Sequence, residues 1–165
     1  QWPCPDEDHP GELFLHGRLW EEPLRGPRAP FHPVLHALPV EALDEEFPLR
    51  LTTGRRLDSF NTGVQSGGYS SPMRRGETVD VSPDDAERYA LSEGETVRVV
   101  SRRGAVVAPV RVDRGLKRGL VFMTLHFPDE VDVNLLTIDV TDPRSGTAEF
   151  KAAAVRIEKV DAAAE

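Results

Sequence analysis

Leu51-Thr52-Thr53-Gly54-Arg55-Arg56, followed closely by Ser59-Phe60-Asn61-Thr62-Gly63, is where this chain's side chains could do chemistry together. Arg55 and Arg56 carry rigid forks of N–H donors that match phosphate or carboxylate oxygens. Thr52, Thr53, Asn61 and Thr62 add short donors and acceptors. Gly54 has no Cβ, so the backbone there can approach a ligand closely. The run before it, Phe47-Pro48-Leu49-Arg50-Leu51-Thr52, alternates apolar and polar residues and predicts a strand with one buried face. The combination reads as an oxyanion-binding loop at the end of a strand. An ordinary surface hairpin has the same composition, so the rest of the chain must decide between the two.

The elements that would position this loop are mostly strands. Thr78-Val79-Asp80-Val81 predicts a short strand. Ser82 then offers an N-cap, Pro83 suits the first helical position and Asp85 completes a capping pattern, so a short helix runs from there towards Ala90. Its acids read as capping residues, not catalytic ones. The segments 95–101 and 105–112, rich in β-branched residues, flank Arg102-Arg103-Gly104 as a hairpin. Pro109 predicts an edge or a bulge in the second strand. Residues 119–124 predict a buried strand running into Leu125-His126-Phe127-Pro128. Asn134-Leu135-Leu136-Thr137 precedes a turn at Asp142-Pro143-Arg144-Ser145-Gly146, and residues 150–158 close as the last strand. The glycine- and serine-rich run 63–76 reads as a ligand-facing lid or a connector. The fold class is therefore mainly β with short helices, closed into a barrel that hides its strand edges.

Composition assigns the ends of the chain. Residues 1–46 hold 8 of the 14 prolines, 10 acids and 3 bases, leaving 18 acids and 17 bases for the remainder of a chain of net charge −8. Proline at that density forbids long helices. The segment reads as an extended arm with Trp2, Phe14, Leu15, Trp20 and Phe31 as anchors. An arm of that kind, and a first residue that is Gln, suggest a piece of a larger protein. The expected division is an arm at 1–46, a barrel at 47–160 and a frayed tail at 161–165. A nearly neutral body argues against nucleic acid and for a small phosphorylated ligand. No apolar run reaches the ~20 residues a membrane helix needs, and no basic-then-apolar start resembles a signal peptide. The lone Cys4 excludes an intrachain disulfide and a cysteine-only metal site, which is compatible with a cytoplasmic location. His32 and His36 have helical spacing but no companion ligand, so zinc is not expected.

One ordered succession ties these pieces to a family. Leu-Thr-Thr-Gly-Arg at 51–55, Asn61-Thr62-Gly63, Val81-x-Pro83-x-Asp85-Ala86, Gly94-x-x-Val97-x-Val99-x-Ser101-x-x-Gly104, Gly119-x-Val121-x-Met123, His126-Phe127, Asn134-Leu135-Leu136-Thr137 and Glu149-Phe150-Lys151 resemble the C-terminal domain of molybdopterin-dinucleotide oxidoreductases. Formate dehydrogenase catalytic subunits are the most similar, and Gln1-Trp2-Pro3-Cys4-Pro5 with His9-Pro10-Gly11 resembles the segment that precedes this domain in them. The resemblance implies a double-psi β-barrel of the aspartate decarboxylase-like kind. It implies a bis-molybdopterin guanine dinucleotide cofactor with Mo or W, gripped by Thr53, Gly54, Arg55, Asn61, Thr62, His126, Asn134 and Lys151.

The same resemblance places the metal-ligating residue, the catalytic histidine and the iron–sulfur cysteines upstream. This chain would therefore supply no catalytic or metal-ligating residue, and Cys4 is not a ligand. Its partners would be the upstream domains of the same enzyme, electron-transfer subunits and a small-molecule substrate, with neither nucleic acid nor membrane. Ala90 departs from the glycine the family commonly has after the short helix, and residues 59–76 lack the His or Trp of many relatives. Two alternatives stay open: the same domain of a nitrate reductase or other superfamily member, and a non-redox recognition module on a similar barrel. A self-cleaving pyruvoyl decarboxylase is excluded because the chain has no Gly-Ser pair.

Overall fold

The structure, a computed structural model, describes Cys4 and residues 6–11, 33–56, 76–143 and 145–160. The chain divides into two compact units, Gln1–Ala37 and Leu38–Glu165. In the first, the described residues form a turn in which the His9 N–H donates to the Asp6 carbonyl at 3.3 Å. Most of the arm, Asn61, Thr62, nearly all of the 63–76 run and the tail at 161–165 lie outside the described residues.

The second unit is a closed barrel of six strands. They are β1 (Leu49–Gly54), β2 (Val79–Val81), β3 (Thr96–Ser101), β4 (Ala105–Val112), β5 (Leu120–Thr124) and β6 (Ala153–Lys159), in the spatial order β1-β5-β2-β4-β3-β6. The β1/β5 and β2/β4 pairs run parallel and the other four pairs antiparallel, as a double-psi barrel requires. Period-two alternation sends Leu49, Leu51, Val97, Val99, Val106 and Val110 inward, where they join Val79, Val121, Met123 and Val155 in one core. β1 extends two residues beyond the predicted strand. Thr53 and Gly54 are ladder residues facing Met123 and Thr124, not loop residues.

Pro109 does not mark a sheet edge, because β4 has neighbours on both sides. Its position is nevertheless tolerated for a local reason. The Val110 N–H donates to the Glu95 carbonyl on the β3 side at 2.8 Å. The nitrogen of Pro109 therefore faces the β2 side, one residue ahead of the Val79–Val110 pair where that ladder begins. No donor is missed.

The helix α1 (Pro83–Arg88) forms as the capping residues predict. The Asp85 N–H donates to Ser82 Oγ at 3.1 Å, and Ser82 Oγ–H donates back to Asp85 Oδ2 at 2.6 Å. The same oxygen accepts the Gly119 N–H at 2.7 Å, which ties the helix start to the entry of β5. At the other end Leu91 N–H reaches the Ala86 carbonyl and Ala90 N–H the Glu87 carbonyl, a Schellman closure. That closure puts Ala90 at φ 52°, where a Cβ is strained. Ala90→Gly should therefore raise the unfolding free energy by about 1 kcal/mol. Urea unfolding of both chains measures it, and an unchanged or lower midpoint contradicts the strain.

Candidate functional site

Three segments meet at the end of the barrel where β1 and β5 finish. β6 runs antiparallel to β1, pairing Ala153 with Leu51, so its lead-in Phe150-Lys151 extends alongside Thr53. Thr53 Oγ1 donates to the Phe150 carbonyl at 2.9 Å, and Lys151 Nζ donates to the Thr53 carbonyl at 2.8 Å. The Lys151 ammonium also lies 5.2 Å from the centre of the Phe150 ring. The third segment is a 3-10 turn, Val133–Leu136, whose N-cap Asp132 accepts the Asn134 N–H at 3.0 Å.

Between the segments lies a cleft of about 310 Å³ lined by Thr53, Leu125, Pro128, Val131, Asp132, Val133, Asn134 and Phe150. Its size falls at the low end of the ~300–1,000 Å³ typical of small-molecule sites. Leu125, Val131, Val133 and Phe150 make apolar walls suited to a flat ring, while Thr53 and Asn134 place polar groups at the rim. Among the described residues the Asn134 side-chain amide makes no hydrogen bond, so its donors and acceptor are available to a ligand. Asp132 is the one anionic group on the lining.

The adjacent arginines take opposite roles. Arg55 is exposed and, among the described residues, makes no hydrogen bond or ion pair. Arg56 turns inward, against the expectation that both offer forks to a ligand. Its Nη2 reaches Asp80 Oδ1 at 2.9 Å and Oδ2 at 3.2 Å, its Nη1 reaches the Gly76 carbonyl at 3.3 Å, and it also bonds Thr78.

His126 and Gly54 also serve the protein's own structure. His126 is fully buried, and its Nε2 accepts the Arg56 backbone N–H at 2.9 Å. It thus holds the chain just after Arg55. A Cβ at Gly54 would sit 2.8 Å from the Phe122 ring, so the close approach glycine permits is to an aromatic side chain of β5. The structure brings Thr53, Asn134 and Lys151 together, with Arg55 two residues beyond Thr53. Asn61 and Thr62 lie outside the described residues.

Sequence reasoning missed two buried groups around this end. Glu77 accepts N–H bonds from Thr124 at 2.9 Å and Thr78 at 3.1 Å, and bonds the Thr124 hydroxyl. Burial pushes its carboxyl above the ordinary range against the pull of those bonds. Asp80 is sandwiched between Arg56 and Arg111. Asp80 sits within a short strand and meets its arginines, 24 and 31 residues away, only through the fold. Phe150 and the apolar walls carry no signal beyond their place in the succession of motifs.

Comparison with known proteins gives a consistent picture. Residues 49–154 match the family model described as "Molydopterin dinucleotide binding domain". The chain is 38% identical over 162 residues to F420-dependent formate dehydrogenase 2 subunit alpha of Methanococcus maripaludis, covering 97% of this chain and 24% of that protein. It is 33% identical to F420-dependent formate dehydrogenase subunit alpha of Methanocaldococcus jannaschii, covering 96% and 24%. It is also 29% identical to the periplasmic nitrate reductase of Desulfovibrio desulfuricans, covering 96% and 23%. The chain thus spans about a quarter of the length of these relatives. Among solved structures, acetylene hydratase from Pelobacter acetylenicus shares the fold with a TM-score of 0.60 at 17% identity, covering 70% of this chain and 19% of that one.

Proposed function

The chain belongs to the molybdopterin dinucleotide-binding domain family, and we propose that it clamps the dinucleotide end of a molybdopterin cofactor in a formate dehydrogenase-like oxidoreductase. The observation that carries the reading is the cleft itself. Thr53, Asn134 and Phe150 come from three segments far apart in sequence, yet they line one space, and Lys151 beside it bonds the Thr53 carbonyl. Nothing in the core requires the exposed Arg55 or the open Asn134 amide. An anionic, amide-rich nucleotide is what such donors fit.

In this reading Arg55 holds a phosphate oxygen, Asn134 hydrogen-bonds a ring edge, and Phe150 with Val131 and Leu125 covers the ring faces. Lys151 braces the Thr53 carbonyl and adds positive charge to the rim. The bound group, bis-molybdopterin guanine dinucleotide carrying Mo or W, would supply the two-electron chemistry at its metal. This chain binds and orients, and no residue of it touches the reacting bond. The rest of the enzyme would provide the metal ligand, the iron–sulfur centres and the route to an electron-transfer partner.

Formate is favoured as substrate by the greater identity to the two formate dehydrogenase subunits, and nitrate remains the second reading because a nitrate reductase also aligns over nearly the whole chain. In the full-length enzyme, Arg55→Ala should lower bound molybdenum or tungsten and acid-released pterin by roughly tenfold, the loss of one charge-assisted contact of about 1.5 kcal/mol. Undiminished cofactor content counts against the clamp. Assays of the same preparation on formate and on nitrate separate the two substrates.

A further inference from the structure

The turn that carries Asn134 is short, and while its Val133 and Leu136 are buried in the core, Asn134 and Leu135 are exposed. A 3-10 turn of four residues has few internal hydrogen bonds. Its outer bracing comes from the β3–β4 hairpin. Arg103 donates twice to the Leu136 carbonyl, from Nη2 at 2.8 Å and from Nε at 3.2 Å. Gly104 packs so tightly that a Cβ there would lie 2.9 Å from the Leu135 carbonyl oxygen. Arg103 is fixed in turn by Glu41, with its Nη1 2.7 Å from Oε1 and its Nη2 2.9 Å from Oε2. The free Oε2 capacity of Glu41 is taken by the Ala154 N–H at 2.8 Å. One line of contacts thus runs from the segment ahead of the barrel, through the hairpin, to the back of the Asn134 turn.

We propose that Arg103, locked by Glu41, is a positioning residue that sets Asn134 at the rim of the cleft. This rests on the reading of that cleft as the dinucleotide site. Arg103 is not on the cleft lining: its guanidinium grips the backbone carbonyl of Leu136, two residues beyond Asn134 and also off the lining. Planar, two-pronged donation to one oxygen fixes both distance and direction, which a lysine at that position would not reproduce. The hairpin tip is therefore a strut for the binding site as well as a turn.

The test uses the full-length enzyme and measures how fast the pterin dinucleotide is released, by pterin fluorescence, alongside the melting temperature. Arg103→Ala should speed release roughly tenfold, the effect typical of a residue that orients a contacting group. Gly104→Ala provides a variant that disturbs no charge. Gly104 does not have left-handed backbone, so its new Cβ acts only by pushing on Leu135. It should speed release in the same direction. Asn134→Ala should itself speed release, and adding either hairpin substitution to it should change release no further, because both act through Asn134. If Asn134→Ala speeds release and the hairpin variants leave it unchanged, or multiply it independently, the strut is wrong and the cleft stands. If Asn134→Ala leaves release unchanged, the cleft assignment fails and the strut falls with it.

Discussion

Asp80→Ala lowers the unfolding free energy by about 3–5 kcal/mol at neutral pH, the penalty for leaving buried charges without their partner. Asp80 is 1% exposed at its side chain and lies in the middle of β2, paired with Phe122 on one side and Arg111 on the other. Arg56 bonds both of its oxygens, the Thr78 hydroxyl donates to Oδ1 at 2.6 Å, and Arg111 bonds Oδ2. Removing the carboxylate leaves two guanidinia facing each other in the barrel wall. Both already have a buried Nε without a hydrogen bond, so neither has spare solvation to fall back on. Arg111 keeps Asp113 at 3.2 Å, but Arg56 keeps only neutral partners. Asp80→Asn preserves shape without charge and should lose most of the same amount. Urea unfolding checks both, and a loss under about 1 kcal/mol would place the network among weak surface pairs.

Glu41→Ala is the second large effect, with about 2–3 kcal/mol lost at pH 7 and almost none at pH 2. Burial alone would raise the Glu41 carboxyl, but hydrogen bonds from Arg103, the Ala154 N–H and Arg102 outweigh it and lower the pKa from 4.5 to about 2. A depressed carboxylate stabilises the fold fully above its unfolded value. The contribution then falls away as pH drops from 4.5 through about 2. The full shift corresponds to about 3 kcal/mol, and the partial exposure of Arg102 and Arg103 screens some of it. Urea unfolding from pH 7 to pH 2 should show the wild-type and Glu41→Ala curves converging across that window. Parallel curves would mean that Glu41 titrates alike in the folded and unfolded chain.

These two acids show where the sequence was legible and where it was not. Strand positions followed from alternation, because Val97, Val99 and their neighbours encode burial locally. The helix followed from Ser82, Pro83 and Asp85, which act within one turn. Glu41 and Arg103 are 62 residues apart, so no window of sequence joins them, although the acidic front segment and the paired arginines are each visible in it.

The site was legible in part. Thr53 and Asn134 line one cleft and Lys151 bonds the Thr53 carbonyl beside it, but nothing in local pattern marks the three as neighbours, and Asn134 and Lys151 stood out only through the order of motifs. Arg55 and Arg56 look alike in sequence, and only the fold, which brings Thr78 and Asp80 within reach of the second, tells them apart. His126 is buried and accepts the Arg56 backbone N–H, a bond that no local pattern in the sequence announces. Ala90 stood out against the glycine that the resembled family commonly has there, and its positive φ follows from the closure it completes.

The most direct measurement is an experimental structure of the full-length enzyme with its cofactor bound. The nucleotide should occupy the cleft between Thr53, Asn134 and Phe150, with a phosphate oxygen on Arg55. A cofactor held wholly by other parts of the enzyme, with that cleft filled by protein side chains, would contradict the account.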